Sequence, residues 1–269
     1  MTEYRAQLYN LTEAECDTVV WRYLTFPKFI SLVAYGALWF SKLTILSDEF
    51  EGRLPAKTEA RMKLQNQEWK QVFQGSDFHA QIDEWPARNV ADGRALSLVN
   101  CWFIGEHESE RMWGEYVPGG DGVAVRSTIR KVRDSVYLNP EWSFIGKVQY
   151  VNFSTFDMSS YHGSQAHHRA FLKDEARFAH ESELRIETMN TRTPFCLDSL
   201  GRPLSPQDLT GVGMNNPDDA GLFIRANLKS LFDHIILHPK IPRWIENLVM
   251  HIRDKSGLGW TVTKSELCK

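Results

Sequence analysis

Short β-branched and aromatic runs recur along this chain, and only some of them are followed by a helical pattern. Residues 19–26, 37–41, 95–103, 123–126, 148–151, 222–225, 235–237 and 260–262 read as strands. Helical spacing falls at 28–35, 57–74, 108–116, 127–135, 165–180 and 243–253. Pro27 stands where the first helix opens and Gly36 where it ends. A doubly wound parallel sheet needs a helix after nearly every strand, and this order does not supply one. The expectation is a mixed α+β domain. Residues 57–74 place Met62, Trp69 and Phe73 near helical spacing, which suits a surface helix packing one face, or a lid. The stretch 191–221 holds several prolines and no period, and is expected to be a long loop.

Other classes are excluded by what the chain lacks. A hydrophobic content of 42% with a net charge of −3 is incompatible with general disorder. The same charge argues against broad electrostatic binding of nucleic acid, though not against a local basic groove. The longest uncharged apolar run, 29–41, falls short of the roughly 20 residues that span a bilayer, so no membrane partner is expected. Met-Thr-Glu-Tyr-Arg has no secretion-signal character, and Cys16, Cys101, Cys196 and Cys268 are scattered, which together suit a reducing cytoplasm. There is no Cys-x-x-Cys, no His-Glu-x-x-His and no glycine-rich phosphate loop, and no metal site is expected.

The most informative stretch is Glu181-Ser182-Glu183-Leu184-Arg185-Ile186-Glu187. On a strand, Glu181, Glu183, Arg185 and Glu187 share one face, and Ser182, Leu184 and Ile186 the other. One reading is an edge strand with a solvated face. The other is a pair of carboxylates in a cleft, one stabilising positive charge on a sugar and one handling a proton, with Arg185 fixing their geometry. Arg22, among apolar residues on the first long strand, needs either a buried carboxylate or a phosphate or ribose ligand. Asp48, Glu49 and Glu51 read as a solvated turn or, with further ligands, a cation site. Cys101 has no basic partner nearby in sequence, which disfavours it as a nucleophile.

These pieces in this order resemble a large bacterial family carrying a domain of unknown function. The resemblance rests on Trp21-Arg22-Tyr23, Asp48-Glu49-Phe50-Glu51-Gly52, Cys101-Trp102, Glu108-Ser109, Met112-Trp113, Tyr116, Gly122-Val123-Ala124-Val125, Val148, Tyr150, Lys173, Phe178, Glu181, Glu183 and Arg185. It covers nearly the whole chain; the family usually has Asp-Pro-Phe-Glu where this chain has Asp48-Glu49-Phe50-Glu51. That family is in turn remotely similar to ADP-ribosyltransferases. The similarity implies one catalytic domain over 1–269, with a central, largely antiparallel split β-sheet flanked by helices and a helical insertion near 55–95. It implies NAD as substrate, with Arg22, Glu181 and Glu183 as catalytic residues. Arg22, Tyr23, Cys101, Trp102, Tyr116 and Arg185 would contact the dinucleotide. Cys101 stands where those enzymes carry a Ser-x-Ser element.

The implied activity is mono-ADP-ribosylation of a protein or nucleic acid by a bacterial toxin or phage-defence effector, with an antitoxin or inhibitor protein as a further partner. Two alternatives stand beside it. One is a non-enzymatic nucleotide- or partner-binding module. The other is a nuclease holding Mg²⁺ through Asp48, Glu51 and Glu181. Aromatic residues make up 12% of the chain. Trp244 and Trp260 are expected in the core and Trp69 on a surface helix. Tyr23, Trp102, Trp113 and Tyr116 fall beside the charged motifs and are candidates for stacking on a base.

Overall fold

The expected strands assemble around one branch point. The computed structural model describes residues 5–72, 74, 93–138, 140–158, 169–189 and 220–268. Twelve strands are present among them: β1 (Gln7–Tyr9), β2 (Val19–Thr25), β3 (Ala37–Lys42), β4 (Ser97–Ile104), β5 (Gly122–Thr128), β6 (Ser143–Lys147), β7 (Gln149–Val151), β8 (Leu172–Asp174), β9 (Glu183–Met189), β10 (Gly221–Arg225), β11 (His234–Leu237) and β12 (Thr261–Lys264). Ten form one mixed sheet in the order β1-β6-β9-β4-β2-β5-β11-β12, with β3 joined to β4 and β10 to β3. Only β1–β6 and β11–β12 run parallel within it. Strands β7 and β8 form a separate parallel pair.

β4 changes partners along one edge. Val20 and Trp21 of β2 pair with Ile104 and Phe103, whereas Ser41 and Lys42 of β3 pair with Val99 and Leu98. Its other edge is covered by β9 from Ser97 to Phe103. The sheet therefore splits beside Asn100, Cys101 and Trp102. Backbone groups at a split need other partners. The Asn100 amide donates to the Trp39 carbonyl at 2.8 Å, and Arg22 Nη1 donates to the Cys101 carbonyl at 2.7 Å.

The two branches, β2 and β3, are joined by helix α1 (Phe26–Tyr35), with Pro27 in its first turn and Gly36 as its left-handed C-cap at φ 57°. Proline there forfeits no intrahelical bond, and glycine takes positive φ at little steric cost. One sheet face buries Leu98, Trp102, Ile145, Leu184 and Ile186 in the main core, together with Phe29 and Leu32 of α1, Ile129 and Val132 of a short helix, and Ile245 and Val249 of the helix Arg243–Ser256. Each such aliphatic or Phe side chain contributes roughly 1.5–3 kcal/mol on burial. The chain is a single α+β domain with a mostly antiparallel sheet, and no helix among the described residues is long and apolar enough to cross a membrane.

Two local expectations are corrected. The described part of 165–180 is not one helix. Leu172–Asp174 pairs with Gln149–Val151 as β8, a short helix follows at Glu175–Phe178, and a 3-10 turn closes at Ala179–Glu181. Strand pairing here overrides helical spacing. The helix α2 (Ala56–Val72) buries Thr58 and Asn66, with Met62 half-buried between them on the same face, while Leu64 and Val72 are exposed, the pattern of a surface helix packing one face. Phe73 and most of the stretch 191–221 lie outside the described residues. Trp244 is 62% exposed because Ile245 and Val249 turn inward instead; Trp260 is buried as expected.

Candidate functional site

Strand β9 lies inside the sheet, paired to β4 on one side and β6 on the other, and six of its seven residues are buried. The edge-strand reading of 181–187 therefore fails. Directly opposed residues of an antiparallel pair share a face. Glu183, Arg185 and Glu187 thus lie on the same face as Phe103, Cys101 and Val99. Glu181 is not part of the strand. It ends the preceding 3-10 turn, and Ser182 at φ 39° turns the chain into β9. The Glu183 N–H donates to the Tyr150 hydroxyl at 2.9 Å, which pins this entry to β7.

Arg185 is fully buried and spends all five of its N–H donors on the protein. Nε donates to Glu183 Oε1 at 2.8 Å and Nη2 to Glu183 Oε2 at 3.1 Å. Nη1 and Nη2 grip the two Glu51 oxygens at 2.7 Å each, and Nη1 also donates to the Ala170 carbonyl at 2.6 Å. No donor is left for a dinucleotide. The expectation that Arg185 contacts cofactor is corrected, while its expected role of fixing a carboxylate is what the contacts display.

Lys173, delivered by β8, completes the cluster. Its ammonium donates to Glu181 Oε2 and, at 3.1 Å, to Glu183 Oε2, and lies 3.7 Å from Glu51 Oε1. It also sits 4.6 Å from the centre of the Phe178 ring. The environments of the two carboxylates diverge. Burial pushes the Glu183 carboxyl upward, but Arg185 and then Lys173 outweigh it and hold the pKa at about 2. Burial lifts Glu181 above the ordinary carboxylate range, with Lys173 pulling against it. Burial works against the Lys173 charge, yet Glu183, Glu51 and Glu181 prevail and keep it above the ordinary lysine range. A pair driven apart in this way has one member suited to remain ionised and one suited to exchange a proton.

The cluster borders a cleft of ≈ 620 Å³, within the roughly 300–1,000 Å³ of small-molecule sites. Every expected site residue contributes to its wall, but in different ways. Arg22 is half-buried at the split. Its guanidinium lies 5.9 Å from the Trp102 ring centre, and among the described residues no carboxylate comes within ion-pair distance. Burial lowers its pKa below the ordinary arginine range. Tyr116 is 42% exposed, and burial together with Glu181 and Glu183 raises its phenol above the ordinary range. Cys101 is also raised, by burial and then by Glu183, which leaves a thiol and not a nucleophilic thiolate.

Two stacking candidates are structural. Tyr23 is 6% exposed, meets Trp113 edge-on at 4.9 Å, and its hydroxyl accepts from the Ser109 N–H at 2.7 Å. Trp113 is 2% exposed in the same cluster. Trp102, 2% exposed, donates its indole N–H to Asn100 at 2.8 Å and backs Arg22. Besides Tyr116, the cleft is lined by two rings outside the motifs, Trp39 of β3 and Phe223 of β10, which meet at 4.8 Å. Leu32, Leu38, Lys28 and Ser31 line the same cleft. No sequence motif marked the pair of rings, because it forms only when β10 pairs with β3.

The acidic turn is also corrected. Asp48 and Glu51 are each 1% exposed, and of the three acidic residues only Glu49 faces solvent. Glu51 is clamped by Arg185 and Glu181 is held by Lys173, so two of the three carboxylates expected to share Mg²⁺ already have cationic partners. Glu115, His180 and Glu181 bring ligand-type atoms within 4.8 Å of one another beside the cleft. Arg111 already pairs with Glu115 at 2.8 Å and Lys173 with Glu181, so these contacts make an ion-pair network. Lys173 and Glu51 are the functional residues whose roles sequence reasoning missed. Lys173 stood in the motif order without a task, and nothing in the sequence ties Glu51 to Arg185 across a separation of 134. No family model, curated protein or solved structure matches this chain.

Proposed function

We propose that the cleft binds NAD and transfers ADP-ribose to a macromolecular acceptor, protein or nucleic acid. The observation that carries this reading is Glu183: an ionised carboxylate, fixed by Arg185 and Lys173, in the wall of a cleft that Trp39 and Phe223 also line. Cleaving the bond between ribose C1′ and the nicotinamide nitrogen puts oxocarbenium character on the ribose, as in glycoside hydrolysis. A preorganised carboxylate in a largely buried site stabilises that charge without reorganising. Nicotinamide departs with the bonding electron pair. The acceptor nucleophile bonds to C1′, and its proton passes to Glu181. Arg22, with no carboxylate partner among the described residues, suits the diphosphate or a ribose hydroxyl. Trp39 and Phe223 offer the far half of the dinucleotide an apolar and aromatic surface.

The split sheet suits an ADP-ribosyltransferase-like arrangement, in which the dinucleotide lies across the split. In a bacterial cell such an enzyme acts as a toxin or phage-defence effector restrained by an antitoxin. The test is nicotinamide release from NAD by the wild type and by Glu183→Gln. Release should fall at least about 100-fold in the variant, the scale of losing one preorganised charge-stabilising group. Equal release by a folded Glu183→Gln protein would sink the assignment.

A further inference from the structure

We propose that Lys173 is a positioning residue, a single ammonium that docks Glu181 beside Glu183 and keeps Glu181 ionised and ready to accept a proton. The role rests on the reading that these two carboxylates form the reactive centre. It goes beyond that reading in saying what makes the pair usable.

Arg185 holds both oxygens of Glu183, so Lys173 is a second counter-charge there and not the only one. Glu181 differs. Its side chain is 12% exposed, and Lys173 is the only cation within ion-pair distance of it among the described residues. Two like charges in one partly buried site cannot both stay ionised without a counter-charge. Lys173 supplies it, reaching Glu181, Glu183 and Glu51 with one nitrogen. The surrounding groups do not replace it. From β9 come Glu183 and Arg185, from β4 the neutral Cys101 thiol, and from β7 the Tyr150 phenol. The helix Glu110–Tyr116 contributes Glu115 and Tyr116, and β2 contributes Arg22, which bonds a carbonyl. His180 bonds Glu115 and brings a ring nitrogen within 4.8 Å of a Glu181 oxygen, beyond ion-pair distance, and Arg177 points to Asp48 and Glu49. Phe178 closes the last side of the ammonium. Lys173 is itself delivered by the β7–β8 pair, outside the main sheet, and the Tyr150 hydroxyl of that pair accepts from the Glu183 N–H, which fixes the two strands relative to each other.

The test compares wild type, Lys173→Gln and Lys173→Arg. Glutamine keeps a donor for the carboxylates but removes the charge, and arginine keeps the charge. The first measurement is the carbon-13 titration of the Glu181 side-chain carboxyl, assigned with Glu181→Gln. Its midpoint should rise by about one pH unit or more in Lys173→Gln and stay within about half a unit of wild type in Lys173→Arg. The second is the pH profile of nicotinamide release. The acid limb of kcat should move up by the same interval in Lys173→Gln, with KM for NAD changed less than about threefold. A Glu181 midpoint unmoved in folded Lys173→Gln overturns the proposal. A moved midpoint with no nicotinamide release by the wild type leaves the role of Lys173 standing and overturns NAD turnover instead. Should Lys173→Gln not fold, the midpoint in Lys173→Arg decides, since an arginine that fails to hold it within about half a unit refutes control by charge.

Discussion

Glu183 should make this protein acid-sensitive by a calculable amount. Its carboxyl is held at about 2 in the folded chain, against about 4.3 for an unperturbed glutamate. At about 1.4 kcal/mol per unit, the folded state gains roughly 3 kcal/mol from Glu183 whenever that residue is ionised in both states. Solvent screening removes little of this, because the residue is 5% exposed. The folded value is depressed. The stability is therefore fully present above the unfolded value, and is lost as pH falls toward the folded value. Integrating the linkage relation, about 2 kcal/mol of it disappears between pH 6 and pH 3. The perturbation is Glu183→Gln, made in a Glu181→Gln background so that the oppositely shifted neighbour does not titrate. Urea denaturation at intervals from pH 7 to pH 3 gives the stability gap between the two proteins. The gap should shrink by about 2 kcal/mol on acidification. A gap that stays constant within about 0.5 kcal/mol would refute the claim that Arg185 and Lys173 hold this carboxylate ionised.

Three further substitutions test the division of the aromatic residues. Trp39→Leu should weaken NAD or ADP-ribose binding about tenfold or more while leaving the thermal midpoint nearly unchanged, as read by ligand titration and calorimetry; undiminished affinity would remove Trp39 from the cleft's recognition surface. Trp260→Ala should cost about 3–5 kcal/mol, because its ring is buried and stacks on Phe232 at 4.8 Å. Trp244→Ser should cost under about 1 kcal/mol, since that ring is mostly exposed, and equal losses at the two positions would contradict the register of the C-terminal helix.

Much of the strand inventory is legible in the sequence, because side-chain shape and turn residues act locally. The β2–α1–β3 segment is an example: β-branched and aromatic residues, then Pro27, then Gly36, each dictate their own neighbourhood. The stretch from 165 to 180 shows the limit. Its spacing suited a helix, but pairing with β7 made Leu172–Asp174 a strand, and strand pairing is a non-local choice. Trp244 shows another limit, since a one-residue rotation of the helical face decides which side chains turn inward.

The sequence by itself determined the chemical types at the site. It holds Arg22, two carboxylates at 181 and 183, and a nearby Arg185, on a chain with neither a phosphate loop nor a metal motif. Tertiary structure alone decided their roles. A guanidinium does nothing particular until its five donors find acceptors, and those of Arg185 close on Glu183 and on Glu51, 134 residues away. The period-two pattern placed Glu181 beside Glu183 on a strand face. The chain instead turns at Ser182, and Lys173 from a separate strand pair restores the juxtaposition. Charge partners across such separations follow from strand order and burial, and neither is written in local sequence.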